Sequence, residues 1–349
     1  MRPMAVGARG PRQQRQTIRD IAALAGVSIA TVSRVLNERD DVSDETRALV
    51  RRIVRERGYR ANRSARGLSR GQTGLVGVLV PLVHPAYFSG ILAGAAEALY
   101  ERDLRLVLSP TLHEHDREVS LVDRIAHGLT DGALLVLPEE SSEELQRLLD
   151  EGYRFVVVDP LEQLPERVPS VSAAHASGAD QAARHLLGLG HRRIAAITGP
   201  SGWVATEDRL RGFRAALAAT GIMPDPQLEA AADFEIEGGA AAARTLLDLP
   251  EPPTAIFAFN DNMAVGAMQA ARERGVRVPE ELSIVGFDDT EQATIVTPTL
   301  TTVRQPLAEM GRMAVSLLMR LLERQRFETL HVELATRLVV RESTAPPRG

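Results

Sequence analysis

The sequence predicts an α/β protein in which a small all-α domain precedes two doubly wound parallel-sheet subdomains. Three observations predict this fold. Apolar residues recur at helical spacing in TIRDIAALAGVSIATVSRVLN, a run that one glycine divides. From Leu75 onward, short continuous apolar runs alternate with amphipathic helical segments. This alternation lasts for roughly 270 residues, which is too long for one sheet and indicates two subdomains.

The first helix of the N-terminal run has recognisable ends. Thr17 is the expected N-cap, and Asp20 stands where a capping box has its acid. Gly26 ends this helix. A second helix is predicted from Ser28, another N-cap residue, through about Leu36. Two short helices joined by a tight glycine turn form a helix-turn-helix unit.

A third helix is predicted from Ser43 to Arg57, which completes a domain of about 45 residues. The outward face of the second helix carries small or polar side chains together with Arg34 and Asn37. A helix that enters the major groove needs such a face, because bulky side chains would hold its backbone away from the bases. A three-helix unit that binds protein is the alternative at this point.

The charge of the chain is unevenly distributed. Residues 1–72 contain 16 Arg and 7 Asp or Glu, a net charge of +9, whereas the remaining residues carry 25 Arg and 39 acids, a net charge of −14. A basic head on an acidic body favours a polyanionic partner for the head alone. A solvated basic tail is the simpler alternative.

Seven apolar runs are the predicted strands of the body: LVGVLVP, RLVLS, GALLVLP, FVVVD, RIAAITG, AIFAF and SIVGF. Their continuous apolar character indicates parallel strands that are covered on both faces. Helices are predicted at 89–101 and at 114–127. The pattern alone places the boundary between the two subdomains near Ser170.

Ligands of open parallel sheets bind beyond the carboxyl ends of the strands, so the polar and aromatic residues at those ends are the site candidates. They are Tyr87, Phe88, Asp159, Arg209, Phe234, Asn260, Asp261, Asp288 and Asp289. Carboxylates, an amide and a guanidinium hold hydroxyl groups, and aromatic rings stack on a flat ligand face. The set therefore suits a small polyhydroxylated or heteroaromatic ligand.

Each candidate also has a structural alternative. Asn260 and Asp261 could cap the helix that follows them, and capping is the favoured role for Asp289. Phe234 could belong to the core. Tyr87 and its neighbour Phe88 cannot both face one pocket in an extended segment, so one of them is expected to pack.

Enzyme and metal chemistry find little support in the sequence. The chain has no cysteine, and the HEHD run at 113–116 opens a predicted helix, where acids are expected. Nucleophile-elbow, P-loop, HExxH and GxGxxG motifs do not occur. We therefore expect no catalytic residue, no metal and no cofactor.

The first residues are arginine-rich and lack the apolar stretch of a signal peptide. No apolar run approaches the roughly 20 residues that a membrane helix needs. These two features predict a cytoplasmic protein.

The helix-turn-helix run, followed by VSDETRALVRRIVRERGYRAN, closely resembles the N-terminal DNA-binding domain of the LacI-type family of bacterial transcription regulators. The body is similar to the same family in the segments LGHRRIAAITGP, FNDNMAVG, VGFDDTE and TPTLTTVRQP. The resemblance extends from about Thr17 to the end of the chain. It implies a body like a periplasmic binding protein.

The resemblance implies a set of DNA-contacting residues. Ile29, Ala30 and Arg34 stand where the family reads bases. Residues that would grip phosphates or neighbouring base edges are Ser28, Thr31, Ser33 and Asn37. The further expected DNA contacts are Thr17, Asn62, Arg66 and Leu68.

Residues 62–72 stand where the family has a hinge helix that folds over the minor groove. Leu68 takes the place of the apolar wedge that the family inserts between base steps. Gly67 and two serines make the segment too weak to hold a helix in water. A charged flexible tether is the alternative.

In the body, the resemblance implies that ligand contacts come from Asp159, Arg209, Phe234, Asn260 and Asp288, with an aromatic ring from Tyr87 or Phe88. The chain departs from the family at Ala174 and His175, where members often carry an Asp-Asn or Thr-Asn pair. His175 is therefore a candidate replacement for a usual polar contact.

The expected domains are a disordered tail at 1–16, the helix-turn-helix domain at 17–61, the hinge at 62–72 and an effector-binding and dimerisation domain at 73–342. The resemblance implies that the chain crosses back between the subdomains. The N-subdomain then comprises about 73–172 and 306–333, and the C-subdomain about 173–305 and 334–342.

The resemblance implies a ligand-responsive repressor of carbohydrate-utilisation genes that binds a near-palindromic operator as a homodimer. A small molecule between the subdomains, favoured as a sugar, would modulate DNA affinity. The alternative is a sugar or nucleobase solute-binding protein with no regulatory role, against which the basic helix-turn-helix argues. An enzyme with a DNA-binding head is a third class, which no catalytic motif supports.

Overall fold

The computed structural model of the chain describes residues 16–36, 39, 41–59, 73–83, 86–114, 119–122, 129–325 and 330–348. The chain divides into two compact units, one up to Thr73 and one from Gly74 onward. Each unit is described by itself.

The described residues of the first unit form the helices α1 (Ile18–Ala25), α2 (Ile29–Leu36) and α3 (Asp44–Glu56). The predicted capping box is confirmed, because the Thr17 hydroxyl accepts from the Asp20 amide while the Asp20 carboxylate accepts from the Thr17 amide. Gly26 ends α1 with a φ of 66°, a left-handed conformation that favours glycine.

A small apolar core holds the three helices together. Ile21, Val32, Val35, Val50 and Ile53 are buried in it. The Ser28 hydroxyl accepts from the Thr31 amide at 3.0 Å, so that the predicted cap of α2 is present. Ser43 caps α3 in the same way. These contacts confirm the helix-turn-helix prediction.

Several predictions concern parts of the chain outside the described residues. Among the expected DNA contacts these are Asn37, Asn62, Arg66 and Leu68. The same holds for nearly all of the expected tail and for the hinge at 62–72. Most of the helix predicted at 114–127 also lies outside them, although residues 119–122 are helical.

The second unit contains two six-stranded sheets. The first sheet consists of β1 (Leu75–Val80), β2 (Arg105–Pro110), β3 (Gly132–Val136), β4 (Phe155–Val158), β5 (Ser170–Ala173) and β11 (His331–Leu334). Its strand order is β11-β5-β4-β3-β1-β2, and all paired neighbours run parallel. Val76, for example, lies opposite Gly132.

The second sheet consists of β6 (Ile194–Thr198), β7 (Glu229–Ala231), β8 (Ala255–Ala258), β9 (Ser283–Asp288), β10 (Thr301–Arg304) and β12 (Arg337–Val339). Its strand order is β12-β10-β9-β8-β6-β7, in which the β10–β12 pair is antiparallel and the other described pairs are parallel. We call the first sheet with its helices the N-subdomain and the second sheet with its helices the C-subdomain.

Helices cover both sheets, as the predicted fold class requires. They are α4 (Ala86–Tyr100), α5 (Ser142–Asp150), α6 (His175–Gly188), α7 (Val204–Ala219), α8 (Ile236–Leu247), α9 (Asp261–Glu273), α10 (Gln292–Ile295) and α11 (Leu307–Leu322). The α11 helix packs against α4 and the first sheet, and α6 packs against α7 and the second sheet. Two doubly wound α/β subdomains are therefore present.

The chain crosses between the two sheets three times. It leaves the first sheet after β5, returns with α11 and β11, and leaves again for β12. The boundary that the pattern alone placed near Ser170 falls on β5, which still belongs to the first sheet. Apolar runs do not reveal such crossings, because strands of either sheet have the same composition.

The α4 helix begins at Ala86, three residues before the predicted start at Ser89. Tyr87 and Phe88 therefore lie in its first turn and not in an extended segment. No helix in the described ranges is long and apolar enough to span a membrane.

A buried histidine ties three distant parts of the C-subdomain together. His191 is 1% exposed, and its Nδ1 lies 2.9 Å from the Thr254 hydroxyl. Its Nε2 lies 3.0 Å from both the Ser283 hydroxyl and the Ala345 carbonyl oxygen. Burial lowers the pKa of His191 below its ordinary value of 6.5, because the charged imidazolium would lose its hydration.

We expect His191→Asn to flatten the dependence of unfolding free energy on pH. A lowered folded-state pKa means that the unfolded chain binds more protons, so the stability present above 6.5 is lost as the pH falls. Urea unfolding between about pH 7.5 and 5.5 measures this slope. The parent chain, unfolded in the same buffers, is the reference. An unchanged slope in His191→Asn would contradict the prediction.

Candidate functional site

A cavity lies between the carboxyl edges of the two sheets. From the N-subdomain it is lined by Leu82, Ala86, Tyr87, Phe88, His113, Leu137 and Asp159. From the C-subdomain it is lined by Trp203, Ala205, Arg209, Asp233, Phe234, Glu235, Asn260, Asn262, Asp288, Thr290 and Gln292. This is the position that the strand-end rule predicts for a ligand of parallel sheets.

The backbone is strained where it meets the cavity. Five non-glycine lining residues have positive φ angles, namely His113, Leu137, Asp159, Phe234 and Asp288. Such conformations cost about 1–3 kcal/mol each and persist only where the surrounding structure imposes them. They turn the chain sharply at the strand ends, and they place these side chains at the cavity wall.

A chain of hydrogen bonds crosses from one subdomain to the other. The Tyr87 hydroxyl donates to Asp159 Oδ2 at 2.5 Å, and Asp159 Oδ1 lies 2.8 Å from His175 Nε2. His175 Nδ1 lies 3.2 Å from an Arg209 terminal nitrogen. Because Arg209 can only donate, this geometry places the imidazole proton on Nε2. The N-subdomain and the C-subdomain are thus joined through buried polar atoms.

His175 is not among the cavity-lining residues. It is 3% exposed and lies behind two of them, Asp159 and Arg209, which it links. Of the predicted set, the structure therefore brings Tyr87, Phe88, Asp159, Arg209, Phe234, Asn260 and Asp288 to the cavity wall.

Arg209 is 4% exposed and largely engaged by protein atoms. One terminal nitrogen donates to the Phe259 carbonyl and the other faces His175. Its guanidinium carbon lies 4.0 Å from the centroid of the Phe287 ring, a cation–π contact. This is the one arginine among the lining residues that the structure describes.

Burial and neighbouring charges shift the pKa values of the site acids. Burial raises the pKa of Asp159, but His175, Tyr87 and Arg209 together outweigh it, so its pKa lies below 3.8. Burial and the Asp159 carboxylate hold the pKa of Tyr87 well above its ordinary value. Burial raises the pKa of Asp288 to about 7, although Arg209 acts in the opposite direction.

Asp261 is buried, and the charge of Asp288 acts on it. Its carboxylate accepts from the Thr302 hydroxyl at 2.5 Å and from the Thr290 amide at 2.7 Å. Burial and the Asp288 carboxylate hold the pKa of Asp261 well above its ordinary value. The negative charge of an ionised Asp288 therefore disfavours ionisation of Asp261.

The predicted capping role of Asp289 is wrong. Glu291 stands at the N-cap of α10, and the Asp289 carboxylate accepts from Arg304 and from Arg341 instead. Its side chain is 4% exposed. The pairing links residues 52 positions apart in sequence, so local capping rules could not reveal it.

Asn260 stands at the cavity wall and also has the capping role that the sequence offered as its alternative. It lines the cavity, and its side chain caps α9 by accepting from the Met263 amide at 2.8 Å. Its amide nitrogen donates to the Phe234 carbonyl, which holds the Phe234 turn in place.

Two aromatic rings form an apolar wall of the cavity. The centroids of Trp203 and Phe234 lie 5.6 Å apart with the planes tilted by 34°. Gly199 makes this possible, because a Cβ there would lie 2.1 Å from the Phe234 ring. Gly199 opens the loop at 199–202, which has the sequence GPSG and follows β6, and its missing side chain leaves room for the Phe234 ring.

Two lining residues keep a buried side-chain atom without a hydrogen-bond partner among the described residues. These are the donor Arg209 Nε and the acceptor Gln292 Oε1. A buried polar atom without a partner costs about 1–3 kcal/mol. A ligand hydroxyl, which both donates and accepts, is able to satisfy either of them.

Sequence reasoning missed several lining residues, including Trp203, Asn262, Thr290 and Gln292. Asn262 could have been found, since it lies two positions after Asn260 in the quoted FNDN segment. Trp203 follows the GPSG loop, and an aromatic residue after a strand-end loop was the available signal. No feature of the neighbouring sequence identifies Thr290 or Gln292 as cavity-lining residues.

The first unit presents α2 as an exposed surface. Ile29 is 45% exposed, and Ser28, Ala30, Arg34 and Thr17 are also exposed. Thr31 and Ser33 are half-buried. Arg34 forms an ion pair with Asp41 at 3.4 Å and keeps about half of its side-chain surface accessible.

The side chains at the cavity wall are of the kinds that bind a ligand by hydrogen bonds and ring contacts. Among the described residues no group of three or more His, Asp or Glu side chains is placed to hold a metal ion. The cavity combines carboxylates, amides, one guanidinium and aromatic rings, which are the groups that recognise hydroxyls and flat apolar faces.

Comparison with known families assigns both parts of the chain. The description "Bacterial regulatory proteins, lacI family" matches residues 17–62, and "Periplasmic binding protein-like domain" matches residues 183–344. The transcriptional regulator CelR of Thermobifida fusca is 39% identical over 341 residues, which cover 95% of this chain and 99% of CelR. The transcriptional repressor CytR of Escherichia coli K12 is 37% identical over 94% of this chain and 96% of CytR.

Solved structures agree with this assignment. The chain is similar to a complex of CelR with cellobiose, with a TM-score of 0.73 and 37% identity over 94% of this chain and 100% of that one. It is also similar to the lac repressor dimer bound to operator and an anti-inducer, with a TM-score of 0.85 and 29% identity over 95% of this chain and 100% of that one. The chain belongs to the LacI family of bacterial regulatory proteins.

Proposed function

We propose that the chain is a ligand-responsive repressor of carbohydrate-utilisation genes that binds operator DNA as a homodimer in the cytoplasm, with a saccharide as its effector. The observation that carries this proposal is the presence, in one chain, of an exposed helix-turn-helix face and a polar cavity between two subdomains. The chain acts by binding and not by catalysis.

The DNA-binding role is assigned to α2. Its exposed surface includes Ile29, Ala30 and Arg34 and is narrow enough to enter the major groove. Arginine is the side chain that most often contacts guanine there. The net charge of +9 over residues 1–72 adds phosphate attraction that depends on salt. The similarity to the lac repressor dimer supports two-fold symmetric binding.

The saccharide effector is supported by the chemistry of the cavity. Asp159 and Asp288 offer carboxylate acceptors, Arg209 and Gln292 offer unpartnered atoms, and the Trp203–Phe234 wall offers apolar ring faces. The similar CelR structure holds cellobiose, and another relative, 34% identical, is a ribose operon repressor.

The effector would act by changing the balance between two arrangements of the subdomains. Asp159 of the N-subdomain and His175 of the C-subdomain form a buried pair, and the Val204 amide donates to the Leu161 carbonyl at 2.9 Å. A ligand in the cavity contacts both subdomains and so favours one arrangement. Coupling to DNA then requires different ligand affinities in the two states. A solute-binding protein with no regulatory role would leave the helix-turn-helix unit without a purpose.

The test begins with selection of an operator from a random DNA pool by the full chain. We expect Arg34→Ala to weaken binding to that operator by about 10–100-fold, because one bidentate base contact is lost. Fluorescence anisotropy with operator and scrambled DNA measures the effect. Arg52→Ala is the control, since it removes the same charge from α3. A pool from which no sequence is enriched would contradict the proposed function.

A further inference from the structure

The cavity wall is strongly acidic. Its lining includes Asp159, Asp233, Glu235 and Asp288, against the single guanidinium of Arg209. His113 at the same wall lies 3.1 Å from Glu139, which adds another carboxylate nearby. An anionic ligand would meet four carboxyl groups and one guanidinium at this wall.

The one arginine is not arranged to hold an anion. Its terminal nitrogens are directed to the Phe259 carbonyl and to His175, and its plane lies against Phe287. A bidentate clamp on a phosphate needs two free parallel N–H groups. Each terminal nitrogen of Arg209 already directs one N–H to the protein, and Nε is buried without a partner among the described residues.

Three backbone amides near helix starts, where a phosphate could bind, are occupied as well. At the start of α9 the Met263 amide donates to Asn260, and before α8 the Glu235 amide donates to Asp233. In the GPSG loop the Gly202 amide lies 3.3 Å from Glu207 Oε1. At each of these places the protein's own side chain stands where an anion would bind at a helix N-terminus.

We infer that the cavity accepts an uncharged saccharide and excludes its phosphate ester; this inference rests on the saccharide effector proposed above. The carboxylates accept hydrogen bonds from ligand hydroxyls, which suits an uncharged sugar. A phosphate group would add about two negative charges to a space that already holds several. The chain would thus distinguish free sugars from the products of sugar phosphorylation.

Thermal unfolding of the full chain with matched pairs of ligands tests the inference. The pairs are glucose with glucose 6-phosphate, ribose with ribose 5-phosphate, and cellobiose with its 6-phosphate. We expect one uncharged sugar to raise the melting temperature by mass action. Its ester should bind at least about tenfold more weakly in titration calorimetry. An ester that binds as well as its sugar overturns the inference and leaves the saccharide effector intact, whereas a panel without any binding contradicts that effector.

A variant and a change of salt concentration show whether the phosphate ester is excluded by its charge or by its size. Glu235 is exposed at the cavity wall, and Glu235→Gln should narrow the ratio of sugar to ester affinity by roughly threefold. Glu251→Gln removes a carboxylate from an exposed position of the C-subdomain away from the lining and should leave the ratio unchanged. The ratio should also fall in about 1 M salt, where charges are screened over roughly 3 Å. A ratio that neither salt nor Glu235→Gln alters would mean that the ester is excluded by its size, and this result would refute the inference.

Discussion

Arg209→Met is expected to lower the free energy of unfolding by about 3–5 kcal/mol and to abolish sugar binding. The guanidinium is 4% exposed and lies near both Asp159 and Asp288, whose ionised forms it stabilises. Methionine keeps much of the stem but leaves these buried carboxylates without their cation. The Phe259 carbonyl and His175 Nδ1 also lose a donor.

Urea unfolding and titration calorimetry with the sugar that stabilises the parent chain measure both effects. Arg211→Met is the matched control, because Arg211 lies on the same helix, has 66% of its side chain exposed and forms a surface ion pair with Asp208. A surface change of this kind should stay within about 0.5 kcal/mol. If Arg209→Met unfolded at the parent's urea concentration, the electrostatic role of Arg209 would be refuted.

Asp288→Asn is expected to stabilise the unliganded chain while weakening sugar binding. Burial raises the pKa of Asp288 from 3.8 to about 7. For an acid whose folded-state pKa is raised, stability is fully present below 3.8 and is lost as the pH rises towards 7. Asparagine carries no charge and removes this loss, by about 1–3 kcal/mol at pH 8. It keeps an oxygen that can accept from Gln305, which now donates to Asp288 at 2.6 Å.

The gain should be larger at about pH 8 than at pH 5, so denaturation at both values is the measurement. Sugar affinity should fall about 10–100-fold, because a charged acceptor is lost. The adjacent residue supplies the control. Asp289 pairs with Arg304 and Arg341, so Asp289→Asn should destabilise the chain. If Asp288→Asn and Asp289→Asn changed the free energy of unfolding in the same direction and by the same amount, the prediction would be contradicted.

Much of the first unit was predictable, because its signals are local. The capping box at Thr17 and the glycine end of α1 depend on residues within four positions of each other. The helical period of the apolar residues identified the buried face, including Val32 and Val35. Three short helices leave few ways to bury such faces together.

The body was predictable as a set of elements and less so as an arrangement. Apolar runs identified strands such as β1 and β9, and the strand-end rule selected Asp159 and Asp288 for the cavity wall. The start of α4 was missed, because the helix was predicted from residue 89 and Tyr87 was expected in an extended segment, whereas Tyr87 lies in the first helical turn. The pair of Asp289 with Arg341 was missed because the partner lies on a different element.

By itself, the sequence determined the helix-turn-helix unit, the α/β class and the residue types at the strand ends, since all of these depend on near neighbours in the chain. The tertiary structure decided which strand ends face each other across the cavity. It decided that His175 lies behind Asp159 and Arg209. It also decided that burial raises the pKa of Asp288, whereas its neighbour Asp289 forms an ion pair with Arg341. The physical reason is the triple crossing between the sheets, which brings together side chains that no local period or spacing connects.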